Sequence, residues 1–258
     1  MKKTSKQVSS EIAYDFIRTR ILTGDYPPGF PIATSLVAGE LKISRTPVRD
    51  ALKTLESDGL VTITTHLGAS VRQMTVNEYH DICDLRCALE THAAGLAAER
   101  CQKKDLDLLV QAAENMRKIT NKFIHHAGSS QEQMELWEEL VKCDVRFHLS
   151  VVFIARNQLI RKQIISCRLL DRIVAAENPN SPEKRDMPIE INAEHREAVL
   201  QEHQAILDAI KLGDVPRARL AMERHLVPTF TESLHRLSVS RGQGADLQLD
   251  EKELTFLV

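Results

Sequence analysis

Apolar positions recur at helical spacing along most of the chain and break into short strand-like runs in only one stretch. Residues 8–23 (VSSEIAYDFIRTRILT) set Ile12, Phe16, Ile17 and Ile21 one turn apart, which predicts a helix with one apolar stripe. Gly24 and the run Pro27-Pro28-Gly29 end it. A short helix from about Thr34 to Leu41 follows, then a tight turn at Lys42-Ile43-Ser44. Ser44 suits the N-cap of the next helix, and Pro47 is tolerated in its first turn. That helix carries Val48, Ala51, Leu52 and Leu55 on one face and stops near Asp58-Gly59, where glycine suits the left-handed closing position. Leu60–Thr64 and Ser70–Arg72 read as strands, with His66-Leu67-Gly68-Ala69 turning between them.

From Thr75 to about Ser238 the pattern is helical throughout. Residues 75–101 predict a long helix with Ile82, Leu85, Leu89, Ala93, Leu96 and Ala97 on its apolar side. Residues 105–124 predict a second helix, and Gly128-Ser129-Ser130 breaks the chain after it. Helices over 134–155 and 159–176 follow, then a loop at Asn178-Pro179-Asn180-Ser181-Pro182. Helices over 190–213 and 215–237, parted at Gly213-Asp214, complete the set. The predicted fold class is mainly α: a winged helix-turn-helix over 8–74 and an antiparallel all-helical bundle over 75–238. A tail over 239–258 follows and ends on the apolar run Leu254-Thr255-Phe256-Leu257-Val258.

Composition narrows the class. Of 258 residues, 43% are hydrophobic, too many for a disordered chain. No apolar run is long enough to span a membrane. The start, MKKTSKQVSSEIAYDF, lacks the apolar stretch of a secretion signal, so a cytoplasmic location is expected. The five cysteines form no CxxC pair and read as buried thiols; Cys83 and Cys87, four apart, leave a redox or metal role open. Up to residue 74 there are 10 Lys/Arg against 7 Asp/Glu, and the rest of the chain is net acidic. That balance permits a nucleic-acid partner for the first segment without demanding one.

Helix, helix, turn, helix, hairpin is a layout that sends its second motif helix into the DNA major groove. Ser44, Arg45, Thr46 and Arg49 head that helix. Arg45 and Arg49 share a face, and guanidinium forks suit both phosphate and the guanine edge. In the wing, His66 and Gly68 are placed toward the minor groove, glycine allowing close backbone approach. Two arginines alone would read as a solvated surface helix; the ordered layout around them favours DNA. In the bundle, Asp144 and His148 share a face with Val141, Val145, Leu149 and Val152. His203 lies with Ile206, Leu207 and Ile210, and His225 with Leu220, Ala221 and Met222. Three imidazoles and a carboxylate converging from three helices would suit Zn, Ni, Mn or Fe as a divalent ion. The alternative is that each histidine is satisfied by its own local hydrogen bond. His80, His92, His125, His126, His195 and His235 read as surface or loop residues.

The stretch SRTPVRDALKTLESDGLV resembles the signature of the GntR family of transcription regulators. The PPG turn before it and the GAxV wing after it fit as well. Lys42 departs from the glycine usual in the turn, Ala33-Thr34-Ser35 from the usual polar residues, and His66-Leu67-Gly68 from the common NRG wing. The second domain resembles the FCD ligand-binding domain of FadR-type members through Asp144-x3-His148, Glu202-His203-x2-Ile206 and Arg224-His225-Leu226. The resemblance implies a metal at Asp144, His148, His203 and His225, zinc foremost. It also implies a small organic acid whose carboxylate meets that metal and Arg86. For Arg86, an ion pair to Glu90 one turn on is the alternative reading. Asn157 reads as a helix cap. The implied function is a homodimeric repressor on double-stranded operator DNA, not an enzyme. The competing readings are a metal-responsive regulator, a purely structural metal, and a helical metalloenzyme, for which no general base is evidently placed.

Overall fold

The computed structural model describes residues 5–126, 128–176 and 193–240. Helix α1 (Ser5–Thr23) buries Ala13, Ile17 and Ile21, a row four residues apart that faces one side. Ile12, expected on that stripe, is 48% exposed, because the buried row passes through the small Ala13 instead. Strand β1 (Pro31–Ile32) was not expected; α2 (Thr34–Leu41) and α3 (Arg45–Ser57) follow as predicted. Between them Lys42 adopts a left-handed backbone, φ 54°. Helix α3 buries Pro47, Val48, Ala51, Leu52 and Leu55. It closes on Gly59 at φ 77°, with Gly59 N–H donating to Glu56 O and Leu60 N–H to Leu55 O, both at 2.9 Å. This is the Schellman closure, with Leu55 and Leu60 supplying its apolar contact.

Strands β2 (Val61–Thr64) and β3 (Gly68–Val71) form the wing, and the sheet order is β1-β3-β2, all antiparallel. The expected turn over His66–Ala69 is shorter than predicted: Thr64 already pairs with Gly68. The left-handed His66, φ 66°, makes so tight a reversal possible.

Among the described residues, six helices build the bundle: α4 (Val76–Arg100), α5 (Lys103–Ile124), α6 (Ser130–Ile154), α7 (Gln158–Ala176), α8 (Ala193–Leu212) and α9 (Val215–Ser240). Thr75 and Glu78 form a capping box at the start of α4, as Ser129 and Glu132 do for α6. Asn157 caps α7, its Oδ1 accepting from the N–H groups of Leu159 and Ile160 at 3.1 Å. Helix α4 packs against α6, α7, α8 and α9. Leu85, expected inward, is 40% exposed. The inward face of α4 instead carries Tyr79, Cys83, Arg86 and Glu90 before its alanine-rich end, so polar residues hold the places that periodicity assigned to Leu85. The apolar core gathers around Leu109, Met116, Phe123, Phe147 and Ile154. Leu169 and Leu170 of α7 reach out of the bundle to pack on the core of the first domain. The expected loop at 178–182, and the tail from 241 onward, lie outside the described residues. No helix among the described residues is long and apolar enough to cross a membrane.

Candidate metal centre and nucleic-acid interface

Helix α6 presents Asp144 and His148 four residues apart, α8 presents His203, and α9 presents His225. All three histidines are buried. Leu220, expected beside His225, is 46% exposed; Ala218, Met222 and Leu226 are its inward neighbours on α9. One ligand atom from each of Asp144, His148, His203 and His225 lies within 4.8 Å of every other. His148 Nε2 stands 3.1 Å from His225 Nε2. Asp144 Oδ1 stands 3.2 Å from His203 Nε2 and 3.7 Å from His148 Nε2.

The outer ring nitrogens decide what the inner ones can do. His203 Nδ1–H donates to Val199 O at 2.8 Å, and His225 Nδ1–H to Glu202 Oε2 at 2.9 Å. His148 Nδ1 lies 2.8 Å from Glu90 Oε2. With the protons of His203 and His225 held on Nδ1, their Nε2 atoms turn lone pairs toward a common point, and the same tautomer of His148 would add a third. Two such acceptors 3.1 Å apart repel unless a cation lies between them. His203 Nε2 is buried with no hydrogen-bond partner. Burial pushes His148 down to about 4, against the pull of Asp144 and Glu90, so its ring is neutral near pH 7. Ligands bound at about 2.0–2.2 Å from one ion stand roughly 3–4 Å from each other, a range that holds the inner separations of 3.1, 3.2 and 3.7 Å. The donor set fits a divalent ion that accepts nitrogen and oxygen.

A second layer of charge surrounds the cluster. Glu90 is 1% exposed. Its Oε1 accepts from Arg86 Nε at 2.9 Å and its Oε2 from Arg168 Nη2 at 3.0 Å. Burial opposes its ionisation, but Arg168, His148 and Arg86 outweigh burial and hold the carboxyl well below the usual range. Asp144 is likewise held low by His148 and His203 against the cost of burial. The Arg86 guanidinium also lies 4.7 Å from the Phe230 ring centre. The ion pair weighed for Arg86 is therefore present. Arg168, the hub role of Glu90 and the Glu202 support were not foreseen. Arg168 stands four residues after the buried Ile164, so a charged residue on the apolar period of α7 was the available signal.

Ser44, Arg45, Thr46 and Arg49 are all exposed at the start of α3. Ser44 occupies the N-cap with an extended backbone, but its hydroxyl makes no capping bond. His66 and Gly68 sit at the exposed tip of the wing. A Cβ on Gly68 would meet open space, so its φ of 98°, not crowding, favours glycine there. The structure thus sets these residues on two adjoining projections of one small domain.

Residues 9–71 match the family described as "Bacterial regulatory proteins, gntR family", and residues 81–227 match the FCD domain. The chain is 28% identical to a Paenarthrobacter nicotinovorans protein named "Probable D-xylose utilization operon transcriptional repressor", over 91% of this chain and 95% of that one. It is 23% identical to the Bacillus subtilis HTH-type transcriptional regulator YdhC, over 90% and 92% of the two chains. The solved structure of E. coli McbR/YncC shares the fold at a TM-score of 0.62 and 18% identity, covering 88% of this chain and 98% of that one.

Proposed function

Since the chain belongs to the gntR family of bacterial regulatory proteins and carries an FCD domain, it is a DNA-binding transcriptional regulator, and we propose that it is a repressor controlled by a small organic acid at a metal centre in its helical bundle. In this reading residues 8–74 bind DNA and residues 75–238 sense the ligand. Arg45, Thr46 and Arg49, with Ser44 behind them, enter the major groove, while His66 and Gly68 of the wing lie along the minor groove. Two copies form a homodimer that spans a pseudo-palindromic operator. A relative named as a repressor over nearly its whole length supports the sign of regulation.

The observation that carries the ligand half is the convergence of three imidazole nitrogens and the Asp144 carboxylate, with an oxygen behind each ring within 2.9 Å of its Nδ1. Asp144, His148, His203 and His225 would hold the ion, zinc being the first choice for an N3O set. When bound, it supplies a positive centre with positions left for an anion. The chain adds its own attraction. Arg86 and Arg168 both lean on the carboxylate of Glu90, which sets two guanidinium groups beside the centre, a setting that suits an incoming carboxylate. Arg86 is the proposed partner of that carboxylate. Binding that differs between two arrangements of the DNA-binding domains then shifts operator occupancy.

Elemental analysis of the purified chain and of a His148→Ala/His203→Ala double variant tests the centre. About one ion per wild-type chain and none in the variant is the expected result; equal metal content in both sinks the ligand set. A gel-shift titration with a duplex selected by the wild-type chain tests the DNA half. Unchanged affinity in Arg49→Ala would remove α3 from the DNA contact.

A further inference from the structure

We infer that Arg168 and Leu170, two residues apart on α7, couple the metal centre to the end of the helix that meets DNA; the inference rests on the metal-centre reading above. Arg168 Nη2 meets Glu90 Oε2 at 3.0 Å. That same oxygen stands 2.8 Å from His148 Nδ1. One carboxylate oxygen therefore joins α7 to a candidate ligand, and a shift of the His148 ring cannot leave Arg168 untouched.

The other end of the link is apolar. Leu170 packs against the bundle core and also against the core of the DNA-binding domain. A Cβ built on Gly59 would lie 3.4 Å from Leu170 Cδ2, so the leucine abuts the left-handed turn that closes α3. That turn is rigid, fixed by its two backbone hydrogen bonds. Asp58, next to it, also accepts from the Tyr14 hydroxyl at 2.7 Å, which ties the same turn to α1. Helix α7 packs on α1 as well. A small rotation of α7, set by where Arg168 is held, would press on the closed end of α3 and re-aim Arg45 and Arg49 at its start. Packed cores pass on such displacements because they do not deform continuously.

The coupling is read as the ratio of operator affinities with zinc and after chelation, using the full chain and a duplex selected by it. Wild type should show a ratio of about 5-fold or more, the lower end of typical allosteric coupling. Leu170→Ala should still take up one zinc per chain and bind the duplex, with a ratio near one. Arg168→Met, which keeps the stem and removes the fork, should lose the ratio in the same way, and Leu170→Met should keep it. A purely structural leucine would lower stability and leave the ratio intact. A full ratio in Leu170→Ala overturns the proposal, and so does a zinc-loaded wild type with a ratio of one. A wild type that takes up no zinc in elemental analysis removes the metal-centre reading itself and the coupling with it. Should Leu170→Ala fail to fold, the Arg168→Met and Leu170→Met pair decides alone.

Discussion

Among the described residues, every buried side chain of the DNA-binding domain is apolar, whereas the bundle buries Arg86, Glu90, Asp105, Thr120, His148, His203 and His225. The first domain keeps its chemistry outside, on Arg45, Thr46, Arg49 and His66, all exposed. Its core from Ala13 to Val71 could be built without any of them. In the bundle most of the functional candidates are part of the core, so folding and the proposed ligand recognition would share the same atoms. Removing a residue should therefore cost stability in the bundle and DNA affinity in the reader. The largest effect is expected at Glu90. Replacing it with alanine leaves Arg86, Arg168 and His148 around a buried void of charge. Breaking a buried pair from one side costs about 3–5 kcal/mol, to be read from urea denaturation. A loss under about 1 kcal/mol, the worth of an exposed pair, would mean that the cluster is solvated and the contrast false.

Acid should strain the bundle in the same sense. His148 has its folded value pushed down from 6.5 to about 4. The unfolded chain thus binds more protons between those values, and stability is lost as the pH falls from 6.5 toward 4. A shift of that size corresponds to roughly 3 kcal/mol. Glu90 and Asp144, also held low, lose their contribution only below the ordinary carboxylate range. Denaturation midpoints of the metal-free chain, measured across this window, should fall, and a His148→Gln variant should flatten the slope above pH 4.5. Bound metal should move the fall to lower pH, because protons and the ion compete for the same Nε2 atoms.

The reader should respond the other way round. Arg49→Ala is expected to weaken operator binding by about 1–3 kcal/mol if it reads a base edge, or to flatten the salt dependence by about one ion if it holds phosphate. Its stability should stay within about 0.5 kcal/mol of wild type, as for other exposed substitutions. A large drop in the denaturation midpoint would place Arg49 in the structure of the domain and blur the comparison.

The same contrast explains which parts of the molecule were legible in the sequence. Helical period and the Ser44, Pro47 and Gly59 signals placed α3 within a residue of its observed ends, because caps and periodicity are local. The four candidate ligands stand out as polar residues on otherwise apolar helix faces, and it is the resemblance to the FCD domain that makes them a metal set. Arg168 obeys the same rule but reads by default as solvent-facing, and Glu90 reads only as the partner of Arg86 one turn away. Only the packing of α4, α6 and α7 reveals that their charges meet. Strand β1 was missed for a related reason. Two residues after a Pro-Gly turn carry no alternation of their own, and their strand character comes from β3, almost 40 residues later. Leu85 was misplaced because α4 buries its arginine and glutamate row in preference to its leucine.

The smallest expected effect lies at a left-handed residue of the reader, in the turn between its helices. Lys42 holds φ 54° and ψ 41° between α2 and α3. A left-handed backbone costs a residue with a Cβ about 1–2 kcal/mol. Glycine removes that strain but raises the entropy of the unfolded chain, so the net gain of Lys42→Gly is expected to be about 0.5–1 kcal/mol. Gly59→Ala is the mirror experiment: at φ 77°, with Arg72 Nη1 3.3 Å and Leu170 Cδ2 3.4 Å from the new Cβ, it should destabilise the domain. A rise in denaturation midpoint for the first and a fall for the second, both at unchanged slope, would place the strain in the backbone. If Lys42→Gly gains stability yet binds the operator less well, the ammonium belongs with Arg45 and Arg49 on the DNA-facing surface. The turn between the helices would then have given up a fraction of its stability for one more contact with phosphate.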